Sequence, residues 1–182
     1  IQTLGNAANF GDQTVANSSR AGISNATYAV FGGGYNYDGS TSTQSNVIDY
    51  ITVATTGNAT DFGDLVVARG WLAGCEDATR GVFAGGMSSS SSQSGFYNTM
   101  EYITVATPGN TTDFGDLTAG RGNLNAAGNG TRGVIVGGIE YPWAATVNTV
   151  EYITIQTTGN AVDLLDLTQG AARPACFSGA AS

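Results

Sequence analysis

The stretch TVATTGNATDFGDL at residues 52–65 returns as TVATPGNTTDFGDL at 104–117 and as TIQTTGNAVDLLDL at 154–167. Gly109 follows Gly57 by 52 residues and Gly159 follows Gly109 by 50 residues, so the period is about fifty. A repeat of this length is typical of one supersecondary unit that is used several times, each copy burying its apolar face against the next. The chain is therefore predicted to be an array of similar copies.

Each period contains segments with the chemistry of β-strands. Alternation of apolar and polar residues occurs in NVIDYITV (46–53), NTMEYITV (98–105) and NTVEYITI (148–155). Short apolar runs that stop at paired glycines are YAVFGGG (28–34), RGVFAGG (80–86) and RGVIVGG (132–138). Alternation predicts half-buried strands, and paired glycines predict a tight turn after a strand. With DFGDL and the stretch that follows Ala-Arg, four strands are predicted per period.

The order of these segments resembles the kelch motif. VFAGG (82–86) matches its double glycine and MEY (100–102) its glutamate and tyrosine, while Phe62, Phe114 and Leu164 stand where kelch repeats usually have tryptophan. The resemblance implies an all-β, kelch-like β-propeller made of four-stranded antiparallel blades. Complete blades are expected at 20–66, 67–118 and 119–168, with the end of a blade at 1–19 and the start of another at 169–182.

Three complete blades are fewer than a closed propeller needs, because propellers usually have about four to eight blades. The chain is therefore expected to be part of a longer repeat protein. The 182-residue chain by itself is expected to expose sheet edges and to behave poorly in solution. Cooperative melting of the isolated chain as a monomer would contradict this expectation.

The charge of the chain excludes several classes of partner. Six arginines, fourteen acidic residues and no lysine or histidine give a net charge of -8. Such a surface cannot neutralise phosphates, so nucleic acid and anionic membranes are not expected as partners. Without histidine there is no Ser-His-Asp catalysis, no histidine metal site and no copper oxidase activity of the kind found on kelch-like folds. Neither enzymatic activity nor a cofactor is expected.

Paired aspartates recur at the end of each copy, as Asp61 and Asp64, Asp113 and Asp116, and Asp163 and Asp166. They could be calcium ligands or a carboxylate pair for glycoside hydrolysis. A catalytic pair would occur once, however, and calcium loops offer more oxygen ligands. The favoured interpretation is that these acids cap turn amides or form ion pairs with Arg69 and Arg121. No metal site is expected. Cys75 and Cys176 are interpreted as two free, buried thiols.

The loops of a propeller blade are divided between two faces. If the strands are called A to D, the B–C and D–A loops lie on one face and the A–B and C–D turns on the other. The B–C loops vary while the strands stay constant, and variable loops on a rigid scaffold are common binding sites. Their candidate ligand-binding aromatic residues are Tyr35, Tyr37, Phe96, Tyr97, Tyr141 and Trp143. The alternative, that these rings pack over the blade edges, is left open.

The opposite face carries asparagines in the Asn-x-Ser/Thr pattern of N-glycosylation. The candidate glycosylation sites are Asn25, Asn58, Asn110 and Asn129, all in A–B or C–D turns. Asparagine and threonine are also ordinary turn residues. This second interpretation is favoured, and sugars are expected here only if the source glycosylates its proteins.

The near-identical copies, the absence of lysine and the glycine- and serine-rich loops resemble repeat arrays in predicted virion and tail-fibre proteins of aquatic bacteriophages. The resemblance implies an extracellular, non-enzymatic protein on a virion that presents loops for host attachment. The implied partners are a host-surface glycan or protein and other virion or filament subunits. One alternative is a secreted or cell-surface microbial adhesin or filament subunit. Another is a carbohydrate-active enzyme on a propeller scaffold.

Overall fold

The computed structural model describes residues 6–37, 42–88, 95–141 and 145–176. These residues form antiparallel β-strands joined by turns and loops, with almost no helix. The predicted all-β class and the four-stranded antiparallel sheets are confirmed. Within the described residues, no helix has the length and apolar character needed to span a membrane.

Three four-stranded sheets follow one another along the chain. Sheet 1 contains β1 (Ala21–Ser24), β2 (Tyr28–Gly32), β5 (Val47–Thr52) and β6 (Thr60–Asp64). Sheet 2 contains β7 (Ala73–Glu76), β8 (Arg80–Ala84), β9 (Thr99–Thr104) and β10 (Thr112–Asp116). Sheet 3 contains β11 (Asn125–Gly128), β12 (Arg132–Val136), β15 (Thr149–Thr154) and β16 (Val162–Asp166). In each sheet the strands are neighbours in chain order, and they are called A to D below.

Two short hairpins lie in the B–C loops of the first and third copies. The first pairs β3 (Tyr35–Tyr37) with β4 (Ser42–Gln44), and the second pairs β13 (Ile139–Glu140) with β14 (Ala145–Thr146). In the second copy, isolated bridges join Met87 to Gly70 and to Phe96. The B–C loops therefore carry backbone pairing of their own, which holds their first residues against the sheets.

The apolar core lies between successive sheets. Between sheets 1 and 2 the largest contributions come from Phe62 and Phe83, which are 3% and 0% exposed. Between sheets 2 and 3 the equivalent positions are Phe114 and Ile135, at 2% and 0% exposure. Burial of such a side chain contributes about 1.5–3 kcal/mol. Each sheet therefore depends on its neighbour to cover its apolar face, as the repeat predicts.

A β-bulge at the same point of each D strand directs one side chain into these cores. The register between strands C and D shifts by one residue opposite Ile48 and Asp49 in the first copy, which leaves Phe62 without a partner across the strand. Phe114 and Leu164 are the corresponding unpaired residues in the other copies. A bulge bends its strand and reorients the extra side chain. In the first two copies that side chain is buried by the next sheet.

Hydrogen bonds between the repeated stretches join successive copies, and this contact between a D strand and the next C–D turn is called the clamp here. At the end of sheet 1, the Asp64 amide donates to the Oδ1 atom of Asn110 at 3.0 Å, and its carbonyl accepts from the Thr111 amide at 2.9 Å. The same bonds join Asp116 to Asn160 and Ala161. Each D strand thus binds the C–D turn of the following copy.

Glycine is required at the closest point of this clamp. Gly63 has φ +147°, and a Cβ atom on it would lie 2.4 Å from the Gly109 carbonyl oxygen. Gly115 stands in the same relation to Gly159, at 2.4 Å. Segment 10–12, ahead of sheet 1, makes the same contact through Gly11 and Gly57.

The third D strand departs from this pattern. Leu165 occupies the register position of Gly63 and Gly115, opposite Val150. Val162, Leu164 and Leu165 are 50%, 44% and 52% exposed. Leu164 is therefore exposed where its counterparts Phe62 and Phe114 are buried.

A buried ion pair joins each C strand to the D–A connection ahead of its sheet. Arg69 contacts Glu101 at 2.6 Å and Arg20 contacts Asp49 at 2.6 Å, while Arg121 pairs with Glu151. The prediction that Arg69 and Arg121 pair with the repeated aspartates is therefore wrong. The D–A connection runs beside the C strand of the next sheet, so the guanidinium groups reach the glutamates there instead.

Candidate functional site

The B–C loops and the D–A connections lie together on one side of the sheets, called the loop face here. Backbone bridges join Ser18 to Tyr35 and Gly122 to Ile139, each linking a D–A connection to the start of a B–C loop. The paired glycines make the turn from strand B into this loop. The second of them, Gly86, donates its amide to the Arg121 carbonyl of the next copy at 2.8 Å.

Four equivalent residues of the D–A connections line one cavity on the loop face. They are Ser19, Trp71, Asn123 and Arg173, called the axial ring here, and their φ angles are 56°, 55°, 55° and 53°. Each amide donates to the carbonyl of the preceding member: Trp71 to Ser19 at 2.9 Å, Asn123 to Trp71 at 2.9 Å and Arg173 to Asn123 at 2.7 Å. The fold thus fixes the backbone of the ring while the side chains differ.

The cavity beneath the axial ring has a volume of about 480 Å³. The A strands β1, β7 and β11 supply its walls, with β7 packed between the other two. Burial raises the pKa of Glu76, which lines this cavity, and a hydrogen bond from the Ser24 backbone opposes that shift in part. The volume lies within the range of small-ligand sites, and the exposed lining of the cavity is more polar than apolar.

The left-handed backbone of the axial ring is unfavourable for the residues that occupy it. An L-residue in this conformation costs about 1–2 kcal/mol, whereas glycine adopts it freely. Within the described part of the chain, every other residue with positive φ is a glycine. The chain therefore uses glycine wherever else this backbone occurs and keeps a side chain at all four ring positions. Non-glycine residues with this backbone cluster at functional sites in proteins, so the four ring positions are candidate site residues.

Arg173 differs from the other arginines that the structure describes. Arg20, Arg69 and Arg121 form the buried ion pairs, and Arg80 and Arg132 lie over the rings of Tyr102 and Tyr152 at 4.2 Å and 4.6 Å. Arg173 is exposed, and its Nε atom donates to Asn123 Oδ1 at 3.1 Å. No ion pair in the described part of the chain involves it. It therefore presents positive charge at the cavity mouth.

Trp71 is held at the cavity mouth by aromatic and apolar contacts. Its ring lies 4.7 Å from the ring of Tyr35, with an angle of 43° between the planes. It also packs on the buried cluster of Met87, Phe96 and Ile139. An indole fixed in this way can offer a flat apolar surface to a ligand with little loss of conformational entropy.

The aromatic residues predicted to bind ligand have different surroundings. Tyr37 and Tyr141 are 61% and 46% exposed on the loop face. Tyr35 is half-buried against Trp71. Tyr97 is also half-buried, and its hydroxyl donates to Ser88 Oγ at 3.1 Å.

Two of the predicted ligand-binding residues are not part of the exposed surface that the structure defines. Phe96 is 7% exposed and belongs to the buried cluster beneath Trp71, so its ring packs on the protein and does not face solvent. The reason is the bridge between Met87 and Phe96, which turns this part of the loop inward. Trp143 lies outside the described residues.

Two of the predicted glycosylation sites are Asx turns between strands A and B. Asn25 Oδ1 accepts from the Thr27 and Tyr28 amides at 2.9 Å and 2.8 Å. Asn129 Oδ1 does the same in the third copy. Asp77 takes this position in the second copy, so the turn needs the oxygen and not the amide nitrogen to which a glycan would be attached.

The other two predicted glycosylation sites belong to the clamp. Asn110 Oδ1 accepts from the Asp64 amide, and Asn58 Oδ1 accepts from the Asp12 amide at 3.1 Å. Asn160 makes the same bond in the third copy, where the sequence Asn-Ala-Val is no glycosylation signal. These contacts support the interpretation that the asparagines are structural. Glycosylation itself stays a prediction.

The two cysteines are free, as the sequence analysis favoured, but only Cys75 is buried; Cys176 is half-buried and lines the cavity. Burial and the neighbouring charge of Glu76 raise the pKa of Cys75 to about 12. Burial also raises the pKa of Cys176.

We expect one thiol, Cys176, to react with a thiol reagent in the native protein. Its accessibility is greater than that of Cys75, while its raised pKa makes the reaction slow near neutral pH and faster as the pH rises. Mass spectrometry after iodoacetamide treatment measures this directly. Labelling of Cys75 at the same rate before unfolding would contradict the structure.

The described residues contain no group of three or more aspartate, glutamate, cysteine or histidine side chains that could hold a metal ion. Comparison of the chain with protein-family models and with curated proteins finds no match. The axial ring was not among the residues predicted from the sequence. The sequence does not single it out, because the positions beside the ring residues vary as well: Arg20, Leu72, Leu124 and Pro174 follow the four members.

Proposed function

We propose that this chain is a non-enzymatic, extracellular recognition protein that binds a host-surface glycan or protein on its loop face. We also propose that its sheets are blades of a kelch-like β-propeller and that it is a virion or tail-fibre component of a bacteriophage. Other virion or filament subunits are then its structural partners. The assignment to a virion rests on the resemblance of the repeated sequence, and the assignment to recognition rests on the loop face.

The observation that carries recognition is the axial ring. Four different side chains line one cavity on a backbone that glycine would adopt more easily, and such strained positions cluster at binding sites. Tyr37 and Tyr141 add exposed aromatic surface on the same face. Aromatic rings with neighbouring hydroxyl groups suit both sugars and protein surfaces.

Replacement of a ring residue by glycine tests this proposal. For Ser19→Gly we expect the free energy of unfolding to stay the same or to rise by up to about 1 kcal/mol, because the positive φ is relieved. Binding of the fluorescently labelled protein to an array of bacterial surface glycans and whole bacteria is expected to weaken about tenfold. Stability and binding thus change in opposite directions.

Thr158→Gly is the matched control, since Thr158 is exposed in a C–D turn away from the loop face. It should leave binding unchanged. If neither glycans nor cells retain the wild-type protein, or if Ser19→Gly and Thr158→Gly bind as well as wild type, the ring has no role in recognition and the proposal fails.

A further inference from the structure

We propose that the axial ring binds the carboxylate-bearing sugar residue of an acidic glycan. This inference rests on the proposed recognition function and names the chemical class of its ligand. It follows from the charge of Arg173 at the cavity mouth, from the aromatic surface of Trp71, and from the neutral polar side chains of Ser19 and Asn123.

The charge at the mouth favours an anion. The chain has a net charge of -8, and three of its arginines are committed to buried carboxylates. Arg173 stands outside those pairs, beside the cavity, with its Nε atom fixed by Asn123. A planar guanidinium that is oriented in this way binds a carboxylate through paired hydrogen bonds.

The other ring residues favour a sugar. Trp71 offers an indole surface that is held by Tyr35, and the C–H groups of a pyranose ring pack on such a surface. Ser19 and Asn123, on either side of Trp71 in the ring, carry a hydroxyl and an amide; Asn123 is 6% exposed, and its Oδ1 atom already accepts from Arg173. These groups suit the hydroxyls of a sugar. The cavity of about 480 Å³ has room for a small ligand rather than a folded domain.

An acidic peptide fits less well. Glu76 lines the cavity, so a ligand with several carboxylates would bring one of them close to an acidic side chain of the wall. A sugar residue with one carboxylate and several hydroxyls places a single charge at Arg173. A peptide with successive acidic side chains would bring further carboxylates towards Glu76 and towards a surface that is already negative.

Isothermal titration with three probes tests the inference: a trisaccharide of one galacturonic acid and two galactose residues, a neutral galactose trisaccharide and a glutamate-rich peptide of similar length. We expect the acidic sugar to bind, and the neutral sugar and the peptide to bind at least about tenfold more weakly. Arg173→Gln should weaken binding of the acidic sugar about tenfold. Arg173→Lys keeps the charge but loses the paired donors of the planar guanidinium, so it should weaken binding of the acidic sugar less.

Arg132→Gln is the matched control, because this guanidinium lies over Tyr152 at the start of β12, next to an A–B turn. It should bind the acidic sugar as wild type does. Equal binding of neutral and acidic sugars, stronger binding of the peptide, or unchanged binding in both Arg173 variants overturns the inference.

Failure of the inference and failure of the proposed function are distinguishable. If no acidic sugar binds while Ser19→Gly still weakens retention on glycan arrays or cells, recognition on the loop face stands and the ligand class is wrong. Thermal melting of each variant shows whether the fold is intact, and Arg173→Lys provides a second variant if Arg173→Gln does not fold.

Discussion

Arg121→Met is expected to lower the free energy of unfolding by about 3–5 kcal/mol, because it leaves Glu151 buried without its positive partner. Both side chains of this pair are 0% exposed. The guanidinium also donates to the Gly137 carbonyl, at the double glycine, at 3.1 Å. Its loss therefore affects the C strand and the turn into the loop face together. Urea titration followed by circular dichroism gives the free energies.

Removing Glu151 as well separates the cost of an unpaired buried charge from the loss of the other contacts of Arg121. Arg121→Met with Glu151→Leu leaves no buried charge, so the double variant is expected to regain most of the lost stability. Arg132→Met removes an exposed guanidinium that lies over the Tyr152 ring and should lower stability by about 1 kcal/mol or less. A loss below about 1 kcal/mol for Arg121→Met would show that the pair is not buried as described.

Gly115→Ala is expected to lower the free energy of unfolding by about 2–4 kcal/mol, through overpacking and an unfavourable backbone angle. The new Cβ atom would lie 2.4 Å from the Gly159 carbonyl oxygen, and φ at this position is +140°. The turn cannot move away freely, because the Gly159 amide donates to the Phe114 carbonyl at 2.7 Å. The interface between sheets 2 and 3 should therefore loosen.

Gly109→Ala provides the control within the same repeated phrase. No atom lies within 4 Å of a Cβ built on Gly109. This substitution should change stability by about 0.5 kcal/mol or less. If the two variants lose the same stability in urea titration, the close approach of D strand and turn does not contribute as proposed.

Much of the fold could be predicted from the sequence because its signals are local. Alternation in NVIDYITV (46–53) predicted a half-buried strand, and β5 is found at Val47–Thr52. The double glycine at Gly85 and Gly86 predicted a turn, and both residues have positive φ. Neighbouring residues determine these features, and the period of about fifty repeats them in each copy.

The ion pairs could not be predicted because their partners are far apart in sequence. Arg69 and Glu101 are separated by 32 residues, and nothing in either segment identifies the other. Arg20 even occupies a different repeat position from Arg69, yet it reaches Asp49, the counterpart of Glu101. Tertiary placement of the D–A connection decides these contacts.

The axial ring could not be predicted for a similar reason. Neither tryptophan nor arginine favours a left-handed backbone, so the local sequence at Trp71 and Arg173 gives no indication of positive φ. The conformation is imposed by the hydrogen bonds that link each ring residue to the preceding copy. The candidate site therefore became visible only once successive copies were placed side by side.

Leu165 has a consequence for how these copies can be rearranged. The D strands of copies one and two carry Gly63 and Gly115, which leave room for the C–D turn of the next copy. Shuffling or duplicating these two copies in an engineered gene should therefore preserve the packing between sheets. Copy three placed ahead of another would bring a leucine side chain to the place where a single added carbon already lies 2.4 Å from a carbonyl oxygen. We therefore expect copy three to pack less well than copy one or two when either of those copies follows it.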